Sequence, residues 1–310
     1  MSAFETLENF DEKNLPDLDT VVLGALEFFA QKEIELPQLP ELQQPLVVGS
    51  VNAATTGRLL FENTRAVFAN GSTYKQVLNT HTEIEEAVVV SASGGKHSIA
   101  IVQTLLEKNI ATHLFTNNPA ASAAEQLDAS YVHIFPKIRE PYTYNTSTYM
   151  SMLIAQSGED PGAIHDFLME EVVPRVPETL HEYDSFLIMI PEQFAEMHDM
   201  FVTKFDELFG PKVSGRVFTL EQAKHAKTVV SSEKEYFISI GAAQTLFGEK
   251  DQRVHIPLPA EAGLAAMMAV GYFVIGNIQK QHPPYFKEGI AQYVDAASEI
   301  FGQKMSVIVE

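Results

Sequence analysis

The sequence predicts an α/β protein built from two doubly wound, parallel-sheet halves in tandem, each a flavodoxin-like sandwich, with flanking helices. Three observations carry this. Short β-branched apolar runs alternate with segments whose apolar residues recur at spacings of three and four. The alternation starts again after a charged, proline-punctuated segment at 158–182. The chain has 310 residues, 45% of them hydrophobic, enough for a substantial core. Strands alternating with helices imply right-handed crossovers and a parallel sheet covered on both faces.

Residues 1–40 read as N-terminal packing helices that wrap the first half, with Pro37, Pro40 and Pro45 marking the exit. The first domain, 41–160, takes strands at 45–49, 66–69, 87–90, 111–115 and 131–135. Its helices fall at 56–63, from the 91–98 turn to 108, at 120–127 and at 146–156. The second domain, 161–310, takes strands at 185–190, 216–219, 235–240 and 254–257. Helices are expected at 193–209, from 221 to 227, at 260–280 and at 285–301.

Composition narrows the function. The absence of cysteine excludes disulfides, thiolate metal sites and cysteine nucleophiles. The acidic start, with Glu5, Glu8, Asp11, Glu12, Asp17 and Asp19 against Lys13, is opposite to a signal peptide and reads as cytoplasmic. The most apolar stretch, 264–278, is shorter than the roughly 20 residues of a bilayer span. Forty-one acidic against 21 basic residues give a net charge of −20, a field that repels nucleic acid and anionic lipid. No metal is expected, because His181 and His198, like His255 and His282, lack ligand spacing; no cofactor is expected either.

The most informative stretch is 86–106, where a buried strand enters a Ser/Gly turn that opens into a helix. Backbone N–H groups at a helix N-terminus lack intrahelical partners and the macrodipole favours negative charge. Ser91, Ser93 and Ser98 add hydroxyls and Lys96 a positive charge, so the guest expected here is a phosphate. An ordinary tight βα turn with a serine cap would use the same residues.

Three patches together resemble the sugar isomerase (SIS) domain family, especially members with two such domains. Gly49-Ser50-Val51-Asn52 is similar to the turn after the family's first strand, which sets a hydroxyl beside the sugar phosphate. Ser91-Ala92-Ser93-Gly94-Gly95-Lys96 resembles the Ser-x-Ser-Gly-x-Thr phosphate cradle, with Lys96 where Thr is usual. Glu221-Gln222-Ala223-Lys224-His225 resembles the Glu-Leu-x-His patch, its spacing one residue longer.

The resemblance implies phosphosugar binding by Gly49, Ser50, Asn52, Ser91, Ser93, Gly94, Lys96, His97 and Ser98, with Glu140 heading the loop that closes over the sugar. It implies Glu207 as the base of an aldose–ketose isomerisation through an enediol and His225 as the ring-opening residue, roles that suit a carboxylate and an imidazole tuned near neutrality. Each has a plainer reading: Glu207 as a solvent-facing helix residue, His225 as a surface histidine, His97 as outward-facing, and Glu140 with its Thr/Asn/Ser neighbours as a helix cap. The substrate class is a sugar phosphate or amino-sugar phosphate. The alternatives are a non-catalytic phosphosugar sensor and a deglycase acting on sugar-phosphate amine adducts. A homodimer is implied by the resemblance alone. Ile190-Pro191-Glu192 lacks a Ser/Gly turn, so one site per chain is expected.

Overall fold

The computed structural model describes residues 1–310 apart from Lys96, Lys227, Thr228 and Gln303. It divides into two compact units, one formed by Lys32–Lys137 and Ser147–Gly158, the other by Met1–Gln31, Ile138–Thr146 and Glu159–Glu310. The chain opens with α1 (Ala3–Asn9), started by a Ser2–Glu5 capping box, and α2 (Leu18–Phe29).

The first sheet follows as β1 (Leu46–Gly49), α3 (Asn52–Phe61), β2 (Val67–Asn70), α4 (Tyr74–Thr80), β3 (Glu86–Val90), α5 (His97–Glu107), β4 (Ala111–Thr116) and β5 (Val132–Ile134). All five strands are parallel, in the order β2-β1-β3-β4-β5. Leu46, Val48, Ala87, Val89 and Leu114 face a core closed by Leu78 of α4 and Ile101, Val102 and Leu105 of α5. The intervening Val47, Val88 and Val90 are equally buried, as a doubly wound sheet requires. The helix expected at 120–127 is a single 3-10 turn, Ala124–Gln126. Its entry is spent on a turn closed by Ala121 N to Asn118 O, and Ala123 N donates to Gly94 O.

The second unit takes β6 (Glu140–Pro141), after which α6 (Thr146–Ser157) returns the chain to the first unit. Next comes α7 (Pro161–Phe167), which the sequence reading did not include. Asp160 caps it and Pro161 supplies the preset first turn. Then follow β7 (Ser185–Ile190), α8 (His198–Phe209), β8 (Ser214–Thr219), α9 (Leu220–His225), β9 (Glu235–Ile240), β10 (Arg253–Ile256), α10 (Leu264–Gln281), α11 (Tyr285–Phe301) and β11 (Ile308–Val309).

The second sheet is parallel in the order β10-β9-β7-β8, and β11 pairs antiparallel with β6. Apolar around most of its circumference, α10 is almost wholly buried. Its start carries no side-chain cap of its own, and Glu159 supplies one, accepting from Gly263 N at 2.7 Å, Ala265 N at 2.8 Å and Ala266 N at 3.2 Å. The N-terminal helices, expected to wrap the first half, are part of this second unit. Leu18 N donates to Gln279 Oε1 at 2.9 Å, and Lys280 pairs with Asp19 at 3.2 Å, fixing α2 along α10. Among the described residues no helix is long and apolar enough to cross a membrane.

Candidate functional site

In a parallel sheet of order 2-1-3-4-5, the crossovers leaving β1 and β3 run to opposite sides, opening a crevice at the carboxyl ends of these two adjacent strands. Both Gly/Ser turns singled out in the sequence emerge there. Ser91 N donates to Phe115 O at 2.9 Å and extends the β3–β4 ladder by one residue. The chain then turns through Gly94 at φ 59°, where an added Cβ would collide with Ala121, so only glycine fits. Ser91 Oγ accepts from Gly94 N at 3.2 Å and Ser93 Oγ from Gly95 N at 3.4 Å. Ser98 Oγ donates to Gly95 O at 2.5 Å. The Ser91 and Ser93 oxygens therefore shape the turn by accepting from its N–H groups, and their hydroxyl protons are the donors that can turn toward an anion. His97 is exposed, Ser98 is buried, and Lys96 lies outside the described residues.

Gly49 closes the neighbouring turn. An added Cβ would lie 2.6 Å from the Ala53 and Ala54 backbone, so glycine lets α3 start directly off the strand. Ser50 is exposed, and Val51 has φ 51°, a strained conformation for a β-branched residue. Asn52 is 6% exposed, and its Oδ1 is buried with no hydrogen-bond partner among the described residues. These two turns bring together Gly49, Ser50, Asn52, Ser91, Ser93, Gly94, His97 and Ser98 at one sheet edge.

Three residues at the end of β4 buttress the cradle, and the sequence reading missed them. Thr116 Oγ1 donates to Ala92 O at 2.8 Å, Asn117 N to the same oxygen at 3.1 Å, and Asn118 Nδ2 to Ser93 O at 2.9 Å. Asn117 Nδ2 also donates to Thr148 Oγ1. Their signal was a polar triplet closing a buried strand.

In the second unit, Glu207 ends α8 against Lys204. Lys204 is fully buried, Glu207 keeps 23% of its side chain exposed, and the two meet at 2.6 Å. The ammonium also donates to Thr143 O at 3.1 Å and Tyr144 O at 2.7 Å, which uses all three of its protons. Burial pushes the Glu207 carboxyl above its usual range, and Asp206 adds to this, while Lys204 works against it. A carboxylate so placed is a better base near neutrality. His225 stands apart: it is 79% exposed at the end of α9, its Nε2 pairing with Glu221 at 3.0 Å rather than with Glu207. Glu140 is buried and accepts from Thr146 N at 2.8 Å, which makes it a cap for α6.

A histidine pair on the first sheet sets a pH dependence. His113 Nδ1 lies 3.0 Å from His133 Nε2, a contact that holds one proton between the facing nitrogens and so keeps the accepting ring neutral. Burial, then the neighbouring His113, lowers His133 to about 4; burial likewise lowers His113, against the opposing charge of Glu86. Depressed folded-state values mean that the stability is present above the ordinary 6.5 and is lost as pH falls toward about 4. With solvent screening discounted, the loss is of order 1–2 kcal/mol. Urea unfolding across this window is expected to show a steeper decline for the wild type than for His133→Gln.

The fold has solved counterparts. The glucosamine-6-phosphate deaminase of Thermotoga maritima matches 90% of this chain and 94% of its own length, with TM-score 0.57 at 16% identity. The tagatose-6-phosphate ketose/aldose isomerase of Escherichia coli matches 90% and 89%, with TM-score 0.55 at 12% identity. The C-terminal domain of the glucosamine-fructose-6-phosphate aminotransferase of Francisella tularensis matches 90% and 92%, with TM-score 0.55 at 9% identity. The architecture is thus the sugar isomerase (SIS) fold, as the three sequence patches implied. At these identities the likeness is one of fold. No protein-family model matches the chain, and no curated protein matches its sequence.

Proposed function

We propose that this protein binds a sugar phosphate at the switch-point turns of the first sheet and isomerises it, aldose to ketose or the reverse, with Glu207 as the proton-transferring base. The observation that carries the reading is the emergence of two Gly/Ser turns from adjacent parallel strands at the crevice between β1 and β3. There the hydroxyls of Ser91 and Ser93, whose oxygens accept from Gly94 N and Gly95 N, have their own protons to donate to an oxyanion at the start of α5. Structural neighbours that act on sugar phosphates by name support the substrate class. Glu207, raised by burial and held by Lys204, supplies the acceptor for the proton moved between neighbouring carbons. A second reading, a non-catalytic phosphosugar sensor, draws support from His225, whose exposed pairing with Glu221 leaves ring opening without an assigned residue.

Binding should depend on the phosphate. Charge-assisted hydrogen bonds are worth roughly 1.5–3 kcal/mol each, so Ser93→Ala is expected to weaken binding about tenfold. Calorimetric titration with hexose, pentose and amino-sugar phosphates, each beside its unphosphorylated parent, checks this. Equal affinity for phosphate and parent would remove the cradle from the account.

A further inference from the structure

We infer that the cavity beside Glu207 is a binding site for an organic ammonium group. The cavity, of about 670 Å³, lies where the end of α8 and the loop at Thr143 meet the start of α11. Three carboxylates line it, Asp206, Glu207 and Glu288, against one ammonium, Lys212. Tyr285, Phe286 and Tyr293 add aromatic surface, and ring faces attract cations.

The buried Lys204 does not turn this site toward anions. Its three protons go to Thr143 O, Tyr144 O and Glu207, so none is left for a ligand. Thr143 also lines the cavity. It is held at φ 78°, a strained backbone for a β-branched residue, with Oγ1 buried and without a partner among the described residues. A phosphate or carboxylate here would face three carboxylates, two of them, Asp206 and Glu288, exposed and without a cation in the lining beyond Lys212. An alkylammonium or arylalkylammonium meets both the carboxylates and the rings.

The consequence for substrate rests on the role of Glu207 proposed above: if the proton moves at Glu207, the group beside the reacting carbons carries an amine, which selects amino-sugar phosphates or sugar-phosphate amine adducts over plain aldose phosphates.

The test uses the full-length protein and three probes of similar size, benzylammonium, benzyl alcohol and benzoate, followed by calorimetry and by ligand-observed NMR. Benzylammonium is expected to bind about tenfold or more tightly than benzyl alcohol, with benzoate weakest. Asp206 and Glu288 are exposed, so the Asp206→Asn/Glu288→Gln double variant should fold normally and lose most of the preference, while Tyr293→Ala should weaken benzylammonium alone. Equal binding of amine and alcohol, no binding of the amine up to its solubility, or a preference that survives the double variant would each overturn the site. The last outcome would mark attraction by the net charge of the chain. Solvent-deuterium exchange into sugar phosphates, measured in parallel, separates the two claims. Exchange without amine selectivity removes the ammonium site and leaves the isomerase, whereas selectivity without exchange leaves the site and removes its link to substrate.

Discussion

Glu207→Gln is expected to lower isomerisation by about 10²–10⁴-fold, the usual contribution of a positioned general base, while phosphosugar affinity changes little. The amide keeps the size of the carboxylate, and its oxygen still accepts from Lys204, so the hydrogen bond now formed at 2.6 Å has a replacement. What is lost is the basic oxygen, and that loss is felt in the transition state rather than in the bound ground state. Steady-state kinetics with parallel calorimetry checks the split. A variant that keeps turnover, or loses affinity and turnover together, would show that Glu207 is a structural partner of Lys204 and not the base.

The second large effect concerns Lys204. Lys204→Met fills a similar volume but leaves the carbonyls of Thr143 and Tyr144 without their donor and Glu207 without its cation. Breaking one side of such a pair typically costs about 3–5 kcal/mol, most of it the desolvation of groups left unpaired. With its main opposing charge gone, the Glu207 carboxyl should rise further, because burial is already the larger influence. Urea unfolding of Lys204→Met, Glu207→Gln and the double variant forms a cycle in which the double change is expected to cost less than the two single changes added. Strict additivity would mean that the two side chains do not share an interaction energy.

Much of the fold is written in local pattern. Val88-Val89-Val90 and Phe186-Leu187-Ile188 are buried on both sides, and unbroken apolar runs of that kind point to inner strands of a parallel sheet. What failed to show was decided at a distance. The run at 120–127 has helical composition, yet Ala123 N goes to Gly94 O, and the segment serves the cradle instead. The N-terminal helices carry no mark of which half they join; Gln279 and Lys280, some 260 positions later, decide it. At the site, the Ser/Gly turn after β3 was legible because a helix N-terminus preceded by serines has a local signature. Thr116, Asn117 and Asn118 show locally only as a polar triplet closing a buried strand; the oxygens of Ala92 and Ser93 that they hold belong to the neighbouring strand's turn, which nothing nearby in sequence announces. Lys204 was hidden for another reason: a lysine on an amphipathic helix is ordinarily solvated, and only the carbonyls of the Thr143 loop make its burial possible.

Proton exchange at the sugar is the most direct test of the central claim. The protein is incubated in deuterated water with hexose, pentose and amino-sugar phosphates, and label is followed at C1 and C2 by NMR and mass spectrometry, so that chemistry is seen even when net conversion is small. Deuterium is expected at C2 of at least one sugar phosphate, none in its unphosphorylated parent, and the signal is lost in Glu207→Gln. Tight binding of sugar phosphates with no exchange in any of them would contradict the isomerase reading and leave a phosphosugar sensor.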